Sequence, residues 1–333
     1  MKIGVIGAGS WGTTIADMLA LKGFDVTLWV YEADLCERIK ETGINDLYLP
    51  GTRLSKNLKP TSSIEDTVTG MEIIVSAAPA QVVRRVVSQA VPSIPDDAVI
   101  VSLSKGIEEG TLMLMSDLLK DVLPEALHKR LCFLSGPSFA KEVAEKMPTA
   151  VVIASENKDA ARKAQTAFST PYFRVYTHDD VVGVELGGAV KNVIAIATGI
   201  ADGLGFGYNT RAALITRGLA EISRLGVKMG AAPLTFSGLA GMGDLVLTCT
   251  GELSRNRTVG YKIGKGATLD EATGAMKMVA EGVASSRAVY HLSKKMGVEM
   301  PIVEHVYKIL YENLSAKDAV INLMSRDPKR ELE

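Results

Sequence analysis

The sequence has little cysteine and little histidine, and this scarcity excludes several kinds of site. Three cysteines, Cys36, Cys132 and Cys249, lie far apart without CxxC spacing, so neither a disulfide framework nor a zinc site is expected. The four histidines share no metal-ligand spacing either. We therefore expect free thiols in a reducing, cytoplasmic compartment and chemistry that uses no metal.

Net charge is also small, because 37 basic side chains nearly cancel 38 acidic ones over 333 residues. Without a general electrostatic field, the chain is not expected to bind nucleic acid or an anionic membrane surface. One apolar run, residues 181–201, is long enough to cross a bilayer, but Glu185, Lys191 and Asn192 interrupt it. We therefore predict a buried helix that carries functional polar side chains, and not a membrane-spanning helix.

The first residues carry the most informative motif. A β-branched strand pattern ends at Ile6, a GxGxxG turn follows, and an apolar helical stretch runs to Leu21. The first glycine of such a turn permits a tight bend, the second lets backbone approach a pyrophosphate, and the third lets helix and strand pack closely. Amide groups at the helix start face the phosphates. The predicted cofactor contacts in this turn are Gly7, Gly9, Ser10, Trp11 and Gly12.

An acidic residue at the end of the second strand bears on the choice between NAD and NADP. The strand pattern that starts at Val26 closes on Tyr31 and Glu32, which are both predicted cofactor contacts. Glu32 follows Gly12 by about 20 residues, a spacing at which a carboxylate accepts hydrogen bonds from ribose hydroxyls. A carboxylate disfavours a 2′-phosphate, so NAD is favoured and NADP stays open. The alternative for Glu32 is a solvated loop residue.

Strand and helix patterns alternate through the first half of the chain. Further apolar strand patterns lie at 73–77, 99–103, 131–134, 150–154 and 173–176. With helical patterns between the earlier ones, this order predicts a parallel sheet with ligands beyond the carboxyl ends of its strands. Later segments are mostly helical, at 181–201, 210–226, 268–279, 284–296 and 303–313. We predict an α/β fold, with a Rossmann-like dinucleotide domain over residues 1–185 and an all-helical substrate and catalytic domain over residues 186–333.

Six segments together resemble the NAD(P)-dependent glycerol-3-phosphate dehydrogenases across almost the whole chain. They are GAGSWGT at 7–13, SLSKGIE at 102–108, LSGPSFAKEV at 134–143, GGAVKNVIAIATGIADGLGFG at 187–207, GLAGMGDL at 238–245 and LSRNR at 253–257. The resemblance implies reduction of dihydroxyacetone phosphate to sn-glycerol 3-phosphate, the reverse oxidation, and a supply of glycerol 3-phosphate for glycerophospholipids. The sequence does not fix the oligomeric state, and a homodimer is one candidate.

The resemblance also implies roles for individual residues. Lys191 matches the family's proton donor and acceptor, and Asp244 matches an aspartate that accepts a hydrogen bond from a substrate hydroxyl. The implied substrate contacts are Lys105, Gly136, Ser138, Lys191, Asp244 and, around the phosphate, Ser254, Arg255 and Asn256. The further implied cofactor contacts are Lys105, Ala140, Arg255, Val279 and Glu281.

Chemical reasoning supports Lys191 separately. Hydride transfer to a ketone leaves an alkoxide, so a proton donor must lie beside the carbonyl oxygen. Burial in an apolar helix lowers the pKa of an ammonium group, and a second cation such as Lys105 lowers it further. The alternative for Lys191 is a snorkelling side chain or an ion pair with Glu185.

The phosphate-binding prediction depends on a capped helix start. If Ser254 caps a helix, then its hydroxyl, the Arg255 guanidinium, the Asn256 amide and the first backbone amides can all contact a phosphate. The alternative for the tripeptide 254–256 is a capped, solvated turn without a binding role.

Two rival functions remain. A β-hydroxyacid dehydrogenase also joins a dinucleotide domain to a helical domain with a lysine, but has an asparagine four positions later, where this chain has Ala195. A redox sensor that binds NAD without turnover has no need of Lys191, Asp244 and Arg255 in one cleft.

Overall fold

The computed structural model describes residues 1–274, 276, 278–328, 330 and 331. Ala275 and Lys277, within the predicted helix 268–279, lie outside the described residues, as do Lys329, Leu332 and Glu333 near the end of the predicted helical domain. The strands of the described chain are β1 (Lys2–Ile6), β2 (Asp25–Trp29), β3 (Leu58–Thr61), β4 (Ile73–Ser76), β5 (Val99–Ser102), β6 (Leu131–Ser135), β7 (Thr149–Ala154) and β8 (Phe173–His178).

These strands form one sheet in the order β3-β2-β1-β4-β5-β6-β7-β8. Neighbouring strands run parallel except β6 and β7, which pair antiparallel, with Phe133 opposite Ala154. The α/β fold class is confirmed, but the expectation of a wholly parallel sheet is wrong at this pairing. Residues 136–148 contain only the short helix Ala140–Ala144, whereas a parallel crossover usually needs a longer one.

The sequence pattern does not predict β3. Its four residues, LKPT, include Pro60 and fall in a polar, turn-rich stretch. Proline has no amide hydrogen for a sheet ladder, and an edge strand tolerates it because one of its sides has no partner. β3 lies at that edge beside β2, with Pro60 opposite Leu28. The strand therefore forms because it pairs with β2, and not because its residues have a high strand propensity.

Helices surround the sheet and then form the rest of the described chain. Those of the sheet region are α1 (Ser10–Leu21), α2 (Ala33–Thr42), α3 (Ile64–Val68), α4 (Val83–Ala90), α5 (Met115–Val122), α6 (Glu125–His128), α7 (Ala140–Ala144) and α8 (Lys158–Phe168). They are followed by α9 (Val181–Gly203), α10 (Tyr208–Lys228), α11 (Asp244–Thr250), α12 (Arg255–Gly264), α13 (Leu269–Gly274), α14 (Glu281–Met296), α15 (Pro301–Tyr311) and α16 (Ala316–Met324). A π-helical turn, Leu239–Gly243, precedes α11.

Helix α9 is a buried core helix. It is long and apolar enough to cross a membrane, but 94% of its apolar window is buried inside the protein. Glycines allow α12 to pack directly on it. A Cβ on Gly199 would lie 2.1 Å from the Arg257 carbonyl oxygen, and one on Gly203 would lie 2.4 Å from that of Tyr261. This close approach brings the start of α12 against the middle of α9.

The buried carboxyl group of Glu185 joins α9 to the sheet region. Its Oε1 accepts a hydrogen bond of 2.9 Å from the Ser116 amide in the first turn of α5. Burial raises the pKa of Glu185 to about 8, and the hydrogen bond to Ser116 only partly opposes this. Lys191, six residues later on the same helix, pairs with Asp244 and not with Glu185, so the alternative ion pair with Glu185 is wrong.

Glu185→Gln is expected to flatten the pH dependence of stability. In the unfolded chain the Glu185 carboxyl titrates at about pH 4.3, whereas in the fold it stays protonated up to about 8. The free energy of unfolding that the protonated carboxyl contributes is therefore complete below about pH 4.3 and is lost as the pH rises towards 8. Glutamine keeps the acceptor oxygen but cannot ionise. We expect the variant to melt roughly 2 °C or more above wild type at pH 8, and close to it at pH 4.5. Calorimetry at a series of pH values measures the difference in melting temperature between variant and wild type. The exposed control Glu125→Gln should show the same difference at every pH, and a constant difference for Glu185→Gln would contradict the prediction.

Candidate active site

The turn between β1 and α1 is shaped by its three glycines. Gly7 has a φ of +114°, a conformation that side chains with a Cβ rarely adopt. A Cβ on Gly12 would lie 2.0 Å from the Gly7 carbonyl oxygen. A Cβ on Gly9 would have no atom within 4 Å, and Gly9 is the N-cap before Ser10 and Trp11 open α1. The turn therefore leaves open space at a helix N-terminus, where amides and the helix dipole stabilise a phosphate.

Trp11 and Ala140 tie this turn to its surroundings. The Trp11 ring lies 6.4 Å from that of Phe173, and its Nε1 is buried without a hydrogen-bond partner in the described part of the chain. Ala140 opens α7, and its carbonyl oxygen accepts a hydrogen bond of 3.3 Å from the Thr14 hydroxyl on α1. Two of the predicted cofactor contacts thus lie on helices that pack against each other.

The end of β2 presents the residues predicted to select the nucleotide. Tyr31 is 70% exposed and makes an edge contact with the Trp29 ring. Glu32 is the N-cap residue of α2, and its Oε1 accepts a hydrogen bond of 2.6 Å from the Tyr48 hydroxyl. This bond, with burial, raises the pKa of Tyr48 to about 12, so the phenol stays protonated near neutral pH. The sequence reasoning missed Tyr48.

Glu281 reaches from the first turn of α14 to the sheet region. Its Oε1 accepts a hydrogen bond of 3.1 Å from the Ala80 amide, beyond the carboxyl end of β4. Its Oε2 is buried and has no hydrogen-bond partner among the described residues. Burial raises the pKa of this carboxyl group. A buried acceptor without a partner, together with the open turn at Gly9, fits a bound dinucleotide. Nearby in the chain, Val279 is 53% exposed.

Two lysines and an aspartate form the centre of the site. Asp244, at the start of α11, is 1% exposed. Its Oδ1 accepts a short hydrogen bond from Lys191 Nζ on α9, and its Oδ2 accepts one of 2.7 Å from Lys105 Nζ. Lys191 Nζ also donates to the Thr248 hydroxyl at 3.0 Å. One carboxylate therefore holds two ammonium groups side by side, beyond the carboxyl end of β5.

Burial and neighbouring charge determine the protonation of this centre. The pKa of Lys191 is lowered to about 8, chiefly by burial; Asp244 opposes this lowering and the charge of Lys105 adds to it. Burial alone would raise the pKa of Asp244, but the two ammonium groups hold it below its ordinary range. A lysine that titrates close to neutral pH can donate and accept a proton in turn, which is the property required of a general acid and base.

The loop after β6 contacts Lys105 directly. The Gly136 carbonyl oxygen accepts a hydrogen bond of 3.0 Å from Lys105 Nζ and another of 3.0 Å from the Ser138 hydroxyl. Gly136 has a φ of +129°, so a side chain would be strained there. The implied substrate contacts Lys105, Gly136 and Ser138 therefore form one hydrogen-bonded group at the carboxyl edge of the sheet.

The predicted phosphate tripeptide lies at the start of α12. Ser254 is its N-cap, and the serine Oγ accepts a hydrogen bond of 3.3 Å from the Arg257 amide. Arg255 makes no hydrogen bond or ion pair with any described residue. Burial lowers its guanidinium pKa, while the charge of Glu281 opposes this. A partly buried guanidinium without a direct ion partner, next to free helix amides, is suited to binding an anion.

Asparagine side chains connect this helix start to the lysine centre. Asn256 donates a hydrogen bond of 2.9 Å from Nδ2 to Asn192 Oδ1, and its own Oδ1 accepts one of 2.9 Å from the Gly282 amide. Asn192 follows Lys191 on α9, and Asn256 follows Arg255 on α12. The hydrogen bond between the two asparagines therefore joins the residue next to Lys191, the candidate proton donor, to the residue next to Arg255, the candidate phosphate ligand. Asn192 and Thr248 were not predicted as site residues, although Thr248 lies one helical turn after Asp244.

No group of three or more histidine, cysteine, aspartate or glutamate residues that could hold a metal ion occurs in the described part of the chain. The charged groups gathered at the site are the two lysines, Asp244, Arg255 and Glu281. These groups can hold anionic ligands and move a proton.

Comparisons with known proteins place the chain in one family. The family descriptions "NAD-dependent glycerol-3-phosphate dehydrogenase N-terminus" and "C-terminus" match residues 2–161 and 180–321. The chain is 59% identical over 330 residues to "glycerol-3-phosphate dehydrogenase [NAD(P)+]" of Geobacter metallireducens, which covers 99% of this chain and 98% of that protein. It is 56% identical to the protein of that name from Syntrophotalea carbinolica, over 100% of both chains.

A solved structure agrees. The crystal structure of glycerol-3-phosphate dehydrogenase from Coxiella burnetii superposes with a TM-score of 0.93 at 40% identity, covering 98% of this chain and 99% of that one. Full-length identity of this order, with both halves matched in sequence, excludes the rival β-hydroxyacid dehydrogenase assignment. This chain belongs to the NAD-dependent glycerol-3-phosphate dehydrogenase family.

Proposed function

We propose that this chain interconverts dihydroxyacetone phosphate and sn-glycerol 3-phosphate by hydride transfer with NAD(H) or NADP(H), with NAD favoured. The observation that carries the proposal is the pair of ammonium groups on Asp244, with a partly buried Arg255 guanidinium on the adjoining helix start. A redox sensor without turnover would not need a lysine that titrates near neutral pH beside a separate anion site.

The dinucleotide would be held along the carboxyl edge of the sheet. A bound nicotinamide supplies or accepts the hydride. Glu32 would accept hydrogen bonds from the ribose hydroxyls, and the amides at the start of α1 would hold the pyrophosphate. The remaining proposed cofactor contacts are Tyr31, Lys105, Ala140, Arg255, Val279 and Glu281.

Lys191 is the proposed proton donor and acceptor. During reduction its ammonium group gives a proton to the carbonyl oxygen, and during oxidation the neutral amine takes one from the hydroxyl. Asp244 keeps the Lys191 amine in place and neutralises the developing positive charge. Lys105 supplies a second positive charge, and with Gly136 and Ser138 it would orient the three-carbon substrate.

The substrate phosphate is assigned to the start of α12. Arg255 offers a bidentate guanidinium, Ser254 a hydroxyl and Asn256 an amide. The helix amides add further donors, so a dianionic phosphate would be bound far more strongly than a neutral hydroxyl. We further propose that residues 1–185 form the dinucleotide domain and residues 186–333 the substrate and catalytic domain, with each domain adding contacts to the ligand of the other. We also propose that the enzyme acts as a cytoplasmic homodimer and that its product feeds glycerophospholipid synthesis.

Rates with two ketones test the proposed function. Purified protein should oxidise NADH rapidly with dihydroxyacetone phosphate and far more slowly with unphosphorylated dihydroxyacetone, measured at 340 nm. The same assay with NADPH gives the cofactor preference. Equal rates with both ketones would remove the phosphate site, and no rate with either would refute the proposed activity.

Arg255→Ala is expected to weaken substrate binding more than catalysis. The loss of a charge-assisted bond costs about 1.5 to 3 kcal/mol, which corresponds to a roughly 10- to 100-fold rise in KM for dihydroxyacetone phosphate. At saturating NADH the slow rate with dihydroxyacetone should change little, because that ketone has no phosphate for Arg255 to bind. Arg162→Ala, on the exposed face of α8, is the matched control. A KM that stays at the wild-type value would contradict the assignment.

A further inference from the structure

We propose that Tyr48 is a positioning residue that fixes the Glu32 carboxylate for the adenosine ribose and thereby sets the preference for NAD over NADP. The proposal rests on the proposed dinucleotide-dependent function and adds a residue that the sequence reasoning did not find. Tyr48 contacts Glu32 and not the proposed reaction centre.

The first observation is the hydrogen bond itself. The Tyr48 hydroxyl donates to Glu32 Oε1 at 2.6 Å, a length typical of a bond from a neutral hydroxyl to a carboxylate. Because the pKa of Tyr48 is raised to about 12, the hydroxyl remains a donor at any pH at which the enzyme would work. Glu32 Oε2 has no hydrogen-bond partner among the described residues. One carboxylate oxygen is thus used to hold the side chain, and the other is left to accept from a ligand.

The second observation is that Tyr48 stands on a turn fixed to the phosphate loop. Asn45 is fully buried, and its Nδ2 donates to the Ala8 carbonyl oxygen and to the Thr13 hydroxyl, both at 2.9 Å. Its Oδ1 accepts from the Tyr48 amide at 3.0 Å. Ala8 lies inside the GxGxxG turn, and Thr13 is in the first turns of α1. The element that orients Glu32 is therefore bonded to the element that would hold the pyrophosphate.

These contacts set the distance between two parts of one ligand. A dinucleotide with its pyrophosphate at Gly9 must place its adenosine ribose at the end of β2, where Glu32 lies. A flexible glutamate could turn away from a 2′-phosphate and so tolerate NADP. For a glutamate held by Tyr48, turning away costs the hydrogen bond between them, so the negative charge is kept opposite the 2′ position. Fixing the carboxylate favours a ribose diol and disfavours a phosphate at the same time.

The ratio of the two cofactor affinities tests the proposal. We expect Tyr48→Phe to raise the Kd for NADH about three- to tenfold, as for the loss of one hydrogen bond, while the Kd for NADPH stays level or falls. Isothermal titration calorimetry with each cofactor measures both constants without turnover. Tyr176→Phe, a partly exposed tyrosine on β8, is the matched control and should leave the ratio unchanged.

A double-mutant cycle separates positioning from a structural effect. Glu32→Gln should lower the ratio of the Kd for NADPH to the Kd for NADH. The double variant Glu32→Gln/Tyr48→Phe should lower this ratio no further, because the phenol acts through the carboxylate. A proportional loss of affinity for both cofactors, or an unchanged ratio, would overturn the proposal. If wild type binds NADH but does not reduce dihydroxyacetone phosphate, then the proposed function fails while the affinity ratio still decides the role of Tyr48.

Discussion

Replacing Lys191 by methionine is expected to lower kcat for dihydroxyacetone phosphate reduction by about 10²- to 10⁴-fold, the usual cost of losing a proton-transfer group. Methionine fills a similar volume in the apolar surroundings of α9 but has no proton to give. Asp244 keeps Lys105 as a partner at 2.7 Å, so its charge does not become unpaired. The fold and the dinucleotide site should therefore persist.

The experiment measures kcat of wild type and variant at steady state, and the Kd of each protein for NADH by titration. The Kd for NADH should stay near the wild-type value, which would locate the loss in the chemical step. Lys120→Met on α5 removes a surface lysine that pairs with Glu156, and it should leave kcat unchanged. Turnover of Lys191→Met near the wild-type rate would exclude Lys191 from proton transfer, whatever its effect on stability.

The local parts of this site could be predicted from the sequence. Gly7, Gly9 and Gly12 lie within six residues and give the turn its tight bend, its open backbone and its close helix contact, so the shape of the predicted phosphate loop follows from local sequence. Ser254 likewise signals a helix start because capping is a local property. The apolar run around Lys191 indicated burial, and burial is what lowers the pKa of that lysine.

The long-range parts could not be predicted in the same way. Tyr48 reaches Glu32 only because Asn45 fixes a turn to the phosphate loop, and no periodicity connects these positions. Strand β3 exists because β2 offers it a partner, and β7 reverses direction because of the short connection before it. Asp244 was assigned from a motif, but its two lysine partners come from different parts of the fold. Side-chain pairing across distant segments depends on packing that spacing alone does not encode.

Asp244→Asn is expected to reduce both stability and activity, because it removes the carboxylate shared by two ammonium groups. Breaking a buried ion pair on one side typically costs about 3 to 5 kcal/mol, since an uncompensated charge is left behind. The pKa of Lys191 should fall further, because Asp244 raises it while burial and Lys105 both lower it. In the reduction direction the rate requires the ammonium form, so kcat of the wild type is expected to fall on the alkaline side around the pKa of Lys191, about 8. In Asp244→Asn this fall should move to lower pH.

A pH profile of kcat with a melting curve separates these two effects. Asp202→Asn is the matched control, because Asp202 is also buried between two cations, Arg211 and Arg257, at the far end of α9. That variant should melt at a lower temperature but keep the alkaline limb in place. If Asp244→Asn lowers only the melting temperature, Asp244 is a structural ion pair, and the pKa of Lys191 is set by burial and by the charge of Lys105 without it. A limb displaced to lower pH in Asp244→Asn but not in Asp202→Asn ties the carboxylate to proton transfer, because destabilisation common to both variants cannot change the titration of Lys191.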